Sequence, residues 1–169
     1  MKHLMLMRHA KSSWGNASLP DFQRPLNDRG EADALHIGEE LVKRKAVPEK
    51  VVTSTAVRAL ETVSRVSRAF GKDFGDKIDL ESQLYAASSG RILEAAKDQR
   101  DNLKRVLIVA HNPGMEELVA RLTGSWLSDG MKTATVACIT FECAHWADIE
   151  DNAGTLEWVL YPRDIDLKE

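Results

Sequence analysis

The sequence predicts an α/β protein, a three-layer α/β/α sandwich around a mostly parallel central sheet. Short apolar runs of strand length alternate with longer amphipathic segments along its 169 residues. The longest apolar runs, at 4–7 and 106–110, are far below the ~20 residues that a membrane-spanning helix needs. Because one core can enclose a chain of this length, we expect a single domain over residues 1–169.

Five segments have the composition and length of β-strands. They are expected at residues 2–7, 50–53, 106–110, 133–141 and 155–160. Four amphipathic helices are expected between them, at about 28–45, 54–70, 89–100 and 112–124. Ser54 and Asn112 are expected N-caps, Pro113 fits the first helical position and Gly124 fits a helix terminator. Residues 71–79 are polar and are expected to form a surface loop.

Charge and cysteine content exclude several classes of protein. The formal net charge is −3 and the pI is about 6.0, so there is no basic surface suited to a nucleic-acid partner. Cys138 and Cys143 lie five residues apart in an extended run, which separates them by roughly 16 Å and excludes a disulfide. Neither a CxxC nor an HExxH motif is present, and no metal site is expected.

The N-terminal segment is basic and then apolar, but it lacks the pattern of a signal peptide. Arg8 and His9 interrupt the apolar run, and no small-residue cleavage site follows. We therefore expect a cytoplasmic protein without a membrane partner. Its oligomeric state is left open by the sequence.

Basic side chains follow three of the predicted strands. Arg8 and His9 follow the first strand, Arg58 lies in the first turn of the helix after the second, and His111 follows residues 106–110. The carboxyl ends of parallel strands share one edge of a sheet, which is where ligands bind. Each of these residues alone is more often structural, so the prediction of a site depends on their convergence.

Such a cluster is suited to phosphoryl transfer. Arginine offers a planar set of donors that matches two phosphate oxygens at once. An unprotonated imidazole can attack phosphorus and hold the group covalently. Nearby positive charge keeps that imidazole unprotonated, and this chemistry requires no metal ion or cofactor.

Five motifs are similar to those of a known family. They are LMRHAK ending at Lys11, RPLNDRG at 24–30, STAVRALET at 54–62, VAHNPG at 109–114 and YPRD at 161–164. In this order they resemble the histidine phosphatase superfamily, the phosphoglycerate mutase-like group, and within it the small SixA-type phosphohistidine phosphatases. The resemblance implies the phosphoglycerate mutase-like fold. It also implies that His9 is the phosphate-accepting nucleophile, with Arg8, Arg58 and His111 completing the phosphate pocket.

The chain departs from the larger members of this family at the proton donor. Those members commonly carry a glutamate after a leucine in the middle of the chain, whereas the counterpart here, residues 84–86, reads Leu-Tyr-Ala. Asp21 and Glu81 are candidates for a substitute acid, although both also fit surface carboxylates. Without an acid the enzyme would favour a leaving group that departs readily, such as the imidazole of phosphohistidine.

The sequence thus favours a metal-independent phosphatase that acts on protein-borne phosphohistidine. Two alternatives stay open: a small-molecule phosphomonoesterase of the same superfamily, and a non-catalytic module that binds phosphoproteins. Lys11 and Ser12 are expected to contact the phosphate, and Trp14 lies in the same loop. Trp126 and Trp146 are expected in the core or on a face of the sheet.

Overall fold

The fold is built on a six-stranded mixed sheet, described for residues 1–162 in a computed structural model. The strands are β1 (Lys2–Arg8), β2 (Lys50–Thr53), β3 (Ile78–Leu80), β4 (Arg105–Ala110), β5 (Val136–Phe141) and β6 (Thr155–Leu160). The helices are α1 (Asp28–Lys43), α2 (Val57–Ser67), α3 (Ser89–Lys97) and α4 (Gly114–Thr123). Short 3-10 turns lie at Asp21–Gln23, Arg68–Phe70, Lys72–Lys77, Ser82–Leu84 and Trp146–Asp148.

The strand order is β3-β2-β4-β1-β5-β6. Strands β1, β2, β3 and β4 pair in parallel, whereas β5 is antiparallel to both of its neighbours, β1 and β6. Among the six described strands, β5 is therefore the single one that runs against the others. This arrangement confirms the mostly parallel sheet, with β1 and β4 at its centre.

Helices cover both faces of the sheet, which confirms the three layers. Met5 and Met7 of β1 face α1 and α2, while Leu4 and Leu6 face α3 and α4. All four side chains are fully buried. The apolar run at the start of the chain is thus a central strand with a core on either side, as a parallel sheet between helices requires.

The start of α1 is fixed by its sequence and lies against the loop after β1. The side chain of Asn27 caps the helix by accepting a hydrogen bond from the Gly30 N–H at 2.8 Å. A Cβ atom added at Gly30 would lie 2.1 Å from the carbonyl oxygen of Lys11. Glycine is therefore required there, since no side chain fits between α1 and the Lys11 backbone.

Three local predictions were wrong. Within the predicted loop at 71–79, the structure has a 3-10 turn and the start of β3, a short, mostly exposed edge strand without an alternating pattern. Helix α2 begins after Ala56 and not after Ser54, whose hydroxyl accepts from the Ala56 N–H at 3.2 Å. Trp126 is 65% exposed, although Trp146 is fully buried as expected.

The start of α4 also differs by one residue from the prediction. Pro113 occupies the N-cap position, and the side chain of Asn112 accepts from the Glu116 N–H at 3.2 Å. Both cysteines are free. Within residues 1–162, no helix combines the length and apolar character needed to span a membrane. Arg163 and Asp164 of the YPRD motif lie outside the described residues.

Candidate active site

The four basic residues singled out in the sequence meet at the carboxyl ends of β1 and β4. Arg8 is the last residue of β1, His9 follows it, His111 follows β4 and Arg58 is the second residue of α2. Together with Lys11, Ser12 and other residues they line one cavity of about 360 Å³. The structure therefore brings all six predicted site residues to a single pocket.

His9 is held in one orientation by the backbone around it. Its N–H donates to the Ala110 carbonyl at 3.1 Å, which ties the residue to the end of β4. Its ring Nδ1 lies 2.7 Å from the carbonyl of Ala10 and so carries the ring proton as the donor of that bond. The other ring nitrogen, Nε2, is then unprotonated and accepts from Nε of Arg58 at 3.3 Å.

His111 lies beside His9, with ring centroids 5.1 Å apart. Its Nε2 is 2.7 Å from the hydroxyl of Ser54. Within the described part of the chain, nothing forms a hydrogen bond with its Nδ1 or with Nε of Arg8, although both atoms are buried. Buried polar atoms without partners are uncommon, and these two border the same pocket as His9.

Asp21 organises one wall of the pocket. Its Oδ2 accepts from Arg58 at 3.0 Å and from the Tyr85 hydroxyl at 2.6 Å, and its Oδ1 accepts from Arg24 at 3.2 Å. Its carbonyl oxygen accepts a further bond from Arg58 at 2.7 Å. Both terminal nitrogens of Arg58 are therefore held by Asp21, and Nε remains directed at His9.

The two histidines are electrically neutral at pH 7. Burial, together with the positive charges of the nearby arginines, lowers the pKa of His9 to about 3. Burial and the charge of Arg58 lower the pKa of His111 to about 4. The bond from Tyr85 and the guanidinium groups lower the pKa of Asp21 to about 2, so this carboxyl is ionised at neutral pH.

The loop after His9 forms the outer rim of the pocket. The guanidinium of Arg24 donates to the Ser12 hydroxyl at 2.6 Å and to the Ser13 carbonyl at 3.1 Å. The same group stacks on the indole of Trp14, 3.2 Å from the ring centroid, while Trp14 itself is 77% exposed. Arg24 thus holds the loop against the pocket and leaves a large aromatic surface in solvent at its edge.

The two candidate acids differ in position. Asp21 lines the pocket, but it is ionised and already bound by two arginines. Glu81 caps the Ser82–Leu84 turn by accepting from the Gln83 N–H at 3.1 Å and does not line the pocket. Glu81 therefore fits the expectation of a surface carboxylate and not that of an acid in the pocket.

Three contributors to the site were missed in the sequence. Tyr85 packs edge-on against His111, with centroids 5.5 Å apart, and donates to Asp21. Ser54 holds His111, and Thr62 accepts from the Ala10 N–H at 3.0 Å while donating to the Arg58 carbonyl at 2.7 Å. Ser54 and Thr62 lie within the STAVRALET motif, which is the signal that could have identified them.

The pocket is suited to an anion. Arg8 and Arg58 supply positive charge, and the start of α4, next to His111, adds the favourable end of a helix dipole. Among the described residues that line the pocket, Asp21 is the single carboxylate, and two arginines occupy it. The wall therefore offers a tetrahedral anion several donors, whereas its carboxylate is already paired with arginines.

Comparison with known proteins identifies relatives over most of the chain. Residues 4–99 match the family model described as histidine phosphatase superfamily (branch 1). A phosphohistidine phosphatase SixA homolog of Haemophilus influenzae is 28% identical over 149 residues, which cover 83% of this chain and 88% of the relative.

Two solved structures share the fold. One, from Agrobacterium tumefaciens, is assigned as a phosphohistidine phosphatase SixA. It superposes with a TM-score of 0.80 and 28% sequence identity, and the match covers 95% of this chain and 98% of the Agrobacterium chain. The α-ribazole phosphatase of Shigella flexneri has a TM-score of 0.68 and 17% identity, covering 95% and 96% of the two chains. The fold is therefore shared by phosphatases of different substrates.

Proposed function

Because the chain belongs to the histidine phosphatase superfamily, branch 1, and is thereby a phosphatase, we propose that it hydrolyses phosphohistidine on a protein through a covalent intermediate on His9. The observation that carries this proposal is the unprotonated Nε2 of His9, which faces the pocket formed by Arg8, Arg58 and His111. The similarity to SixA proteins supports the choice of substrate.

In the first step the phosphoryl group of the substrate is bound by the two arginines. Its oxygens accept from Nε of Arg8, from Nδ1 of His111 and from Arg58, which then releases Nε2 of His9. The Ser54 hydroxyl donates to Nε2 of His111, which leaves the ring proton on Nδ1 as a donor to phosphate. Nε2 of His9 forms a bond to phosphorus as the P–N bond of the substrate breaks.

In the second step water attacks the phosphorus of phospho-His9. The new P–O bond replaces the P–N bond, inorganic phosphate leaves, and His9 regains its unprotonated Nε2. Throughout, the bond from Nδ1 to Ala10 keeps the ring in one orientation, so the same nitrogen serves as nucleophile and as leaving group. Lys11 and Ser12, at the rim, add donors to the phosphate oxygens.

The absence of a protonated carboxyl in the described pocket supports phosphohistidine over a phosphate ester. An alcohol leaves well only when an acid protonates it, and a positioned acid contributes about 10²–10⁴-fold to such reactions. Asp21 is ionised, because its pKa is lowered to about 2. The imidazole of phosphohistidine can accept its proton from solvent before the P–N bond breaks, so it needs no such donor.

The surroundings of the pocket support a phosphate carried by a protein. Arg8 and Lys11 also line an adjoining cavity of about 520 Å³, so the phosphate site continues into a wider opening. The exposed indole of Trp14 at the rim offers an apolar surface to a protein partner. A cytoplasmic location, where such phosphoproteins are formed, is part of the proposal.

The proposal is tested by a side-by-side assay of a phosphohistidine protein and of common phosphate esters, with wild-type enzyme and His9→Ala. Wild-type enzyme should hydrolyse phosphohistidine at least tenfold faster than any ester and should become labelled on His9 with ³²P-phosphohistidine. His9→Ala should abolish turnover and labelling. It should still bind vanadate, which shows that the phosphate pocket is folded.

Different results identify the alternatives. A faster reaction with esters would assign the chain to the small-molecule phosphomonoesterases. Tight binding of the phosphoprotein without turnover or labelling would identify a binding module. Turnover of His9→Ala near the wild-type rate would remove His9 from the mechanism.

We also expect the reaction to be independent of metal ions. The pocket binds phosphate with guanidinium and imidazole groups, so dialysis against EDTA should leave kcat/KM at 25 °C unchanged. Vanadate, which adopts the five-coordinate geometry of the transition state, should inhibit. Loss of activity in EDTA that is restored by added Mg²⁺ would contradict this scheme.

A further inference from the structure

Three potential metal ligands meet on the sheet far from the phosphate pocket. They are His3 of β1, Cys138 of β5 and Glu157 of β6. Glu157 Oε2 lies 3.2 Å from Nδ1 of His3 and 3.5 Å from Sγ of Cys138, and all three ligand atoms lie within 4.8 Å of one another. Ligands at 2.0–2.3 Å from a tetrahedral zinc ion are separated by roughly 3–4 Å, so the cluster is close to the required size.

A break in the pairing of β5 and β6 brings the carboxylate into this cluster. Cys138 pairs with Trp158, but the next residue, Ile139, pairs with Leu156, which leaves Glu157 as an extra residue on β6. In an unbroken ladder, neighbouring residues point to opposite faces of the sheet, whereas here Trp158 and Glu157 both reach the face of Cys138. Bulges of this kind commonly redirect a side chain toward a site.

The composition of the cluster suits a zinc-class cation. Thiolate, imidazole and carboxylate are the three side-chain types that bind Zn²⁺. One thiolate and one carboxylate together carry the two negative charges that neutralise the dication. Cys138 is buried, whereas the side chains of His3 and Glu157 are 22% and 44% exposed, so an ion could enter from solvent and retain a water as its fourth ligand.

We infer that His3, Cys138 and Glu157 form a binding site for a Zn²⁺-class ion that fastens the edge strand β6 to β5 and β1. On binding, the sulfur–metal bond replaces the S–H bond of Cys138, and the thiol proton passes to solvent. His3 and Arg8 are five residues apart on β1, which is roughly 17 Å along a strand. The site is therefore structural and separate from the phosphate pocket.

The test is a titration of the chelator-treated, full-length protein with Co²⁺, followed by absorption spectroscopy. We expect a sulfur-to-cobalt charge-transfer band that saturates at one ion per chain and disappears when Zn²⁺ is added. Cys138→Ser should remove the band. His3→Gln and Glu157→Gln, at partly exposed positions where folding tolerates a polar substitution, should each weaken Co²⁺ binding at least tenfold.

Cys143→Ser is the matched control, because Cys143 is the other free cysteine of the chain and lies outside the cluster. This variant should keep the band and the affinity. Zn²⁺ should also raise the melting temperature of the wild-type protein and of Cys143→Ser, but not of Glu157→Gln. If Cys138→Ser fails to fold, the two glutamine variants and the control decide the outcome.

Three results would overturn the inference. The first is a wild-type protein without a charge-transfer band at stoichiometric Co²⁺. The second is a band that survives Cys138→Ser or is lost in Cys143→Ser. The third is unchanged affinity in both His3→Gln and Glu157→Gln, which would leave their contact as an ordinary ion pair.

Discussion

At the level of single residues, the contact with Arg58 occupies the ring nitrogen of His9 that we propose as the nucleophile. Nε of Arg58 donates to Nε2 of His9, the atom that attacks phosphorus in the proposed mechanism. An incoming phosphate offers Arg58 better acceptors, since charged oxygens bind a guanidinium more strongly than a neutral ring nitrogen does. The lone pair of His9 thus becomes available when the substrate is present.

Asp21 is expected to act as a positioning residue, and Asp21→Asn should show this. An amide keeps the shape but loses the charge that holds Arg58 and Arg24. We expect kcat/KM for phosphohistidine and for any ester substrate to fall together by about 10–100-fold, because misplaced catalytic groups cost about that much. Vanadate inhibition should weaken in parallel.

Glu81→Gln is the control for this experiment, since Glu81 caps a turn and does not line the pocket. Its rates should stay near those of the wild-type enzyme. Loss of ester hydrolysis alone in Asp21→Asn, with phosphohistidine hydrolysis intact, would instead make Asp21 a proton donor.

The positions of Arg8, His9, Arg58 and His111 could be predicted because each lies at, or shortly after, the carboxyl end of a strand, and these ends share a known edge of the sheet. The contacts of Asp21 with Tyr85 could not be predicted in the same way. They join segments 64 residues apart through side chains in irregular turns, where no periodicity constrains the geometry. The sequence therefore located the pocket but left its wall undefined.

At the level of elements, helix α1 acts as a support for the loop that carries His9. Asn27 is held by two hydrogen bonds. Its N–H donates to the Lys11 carbonyl at 3.0 Å, and its side chain caps the helix. Gly30 then allows the first turn of α1 to touch the Lys11 backbone. The loop after β1 is thus held in place by the N-terminus of α1.

Gly30→Ala should therefore disturb catalysis from outside the pocket. The new methyl group would lie 2.1 Å from the Lys11 carbonyl oxygen, so the helix or the loop has to move. We expect a loss of about 1–3 kcal/mol in the free energy of unfolding, typical of an overpacked contact, and a fall in kcat. Urea denaturation and steady-state kinetics measure the two effects.

Gly75→Ala provides the comparison, because a Cβ at Gly75 would meet nothing within 4 Å. Its stability and kcat should match the wild-type values to within experimental error. A Gly30→Ala protein with unchanged stability and kcat would mean that α1 does not support the loop.

The strands and helices that bury apolar residues could be predicted closely, since burial imposes a period on the sequence. Strands β2 and β6 have the expected bounds, while β1 and β4 each extend one residue further. The predicted start of β5 at 133 was wrong: the strand begins at Val136, because Ala134 has a left-handed φ of 62° that interrupts the extended backbone. Another error lies where burial is weak. Strand β3 is a three-residue edge strand with two exposed residues, and nothing in its composition separates it from a loop.

For the molecule as a whole, the two neutral histidines make stability depend on pH. Unfolding returns each ring from a pKa of about 3 or 4 to its ordinary value of 6.5. Below pH 6.5 the unfolded chain therefore binds protons that the folded chain does not, and the free energy of unfolding falls as the pH is lowered toward 4. Each unit of difference in pKa is worth about 1.4 kcal/mol.

Urea denaturation between pH 7 and pH 4 should record this loss in the wild-type protein. The double variant His9→Asn, His111→Gln should lose clearly less stability over the same range. His145→Gln is the control. The exposed His145 ring pairs with Asp101, which raises the pKa of His145, so this variant should lose at least as much stability as the wild-type protein when the pH is lowered. Equal pH dependence in wild type and double variant would contradict the assignment of neutral rings.

The central position of β1 has a consequence for how the protein is made. Its partners β4 and β5 begin at Arg105 and Val136, so a ribosome that adds roughly 5–20 residues per second needs on the order of ten seconds before either emerges. During that interval the apolar side chains of β1 have no strand to pair with. Strand β1 is thus synthesised well before the strands that pair with it, which makes its apolar segment an expected binding site for chaperones during translation.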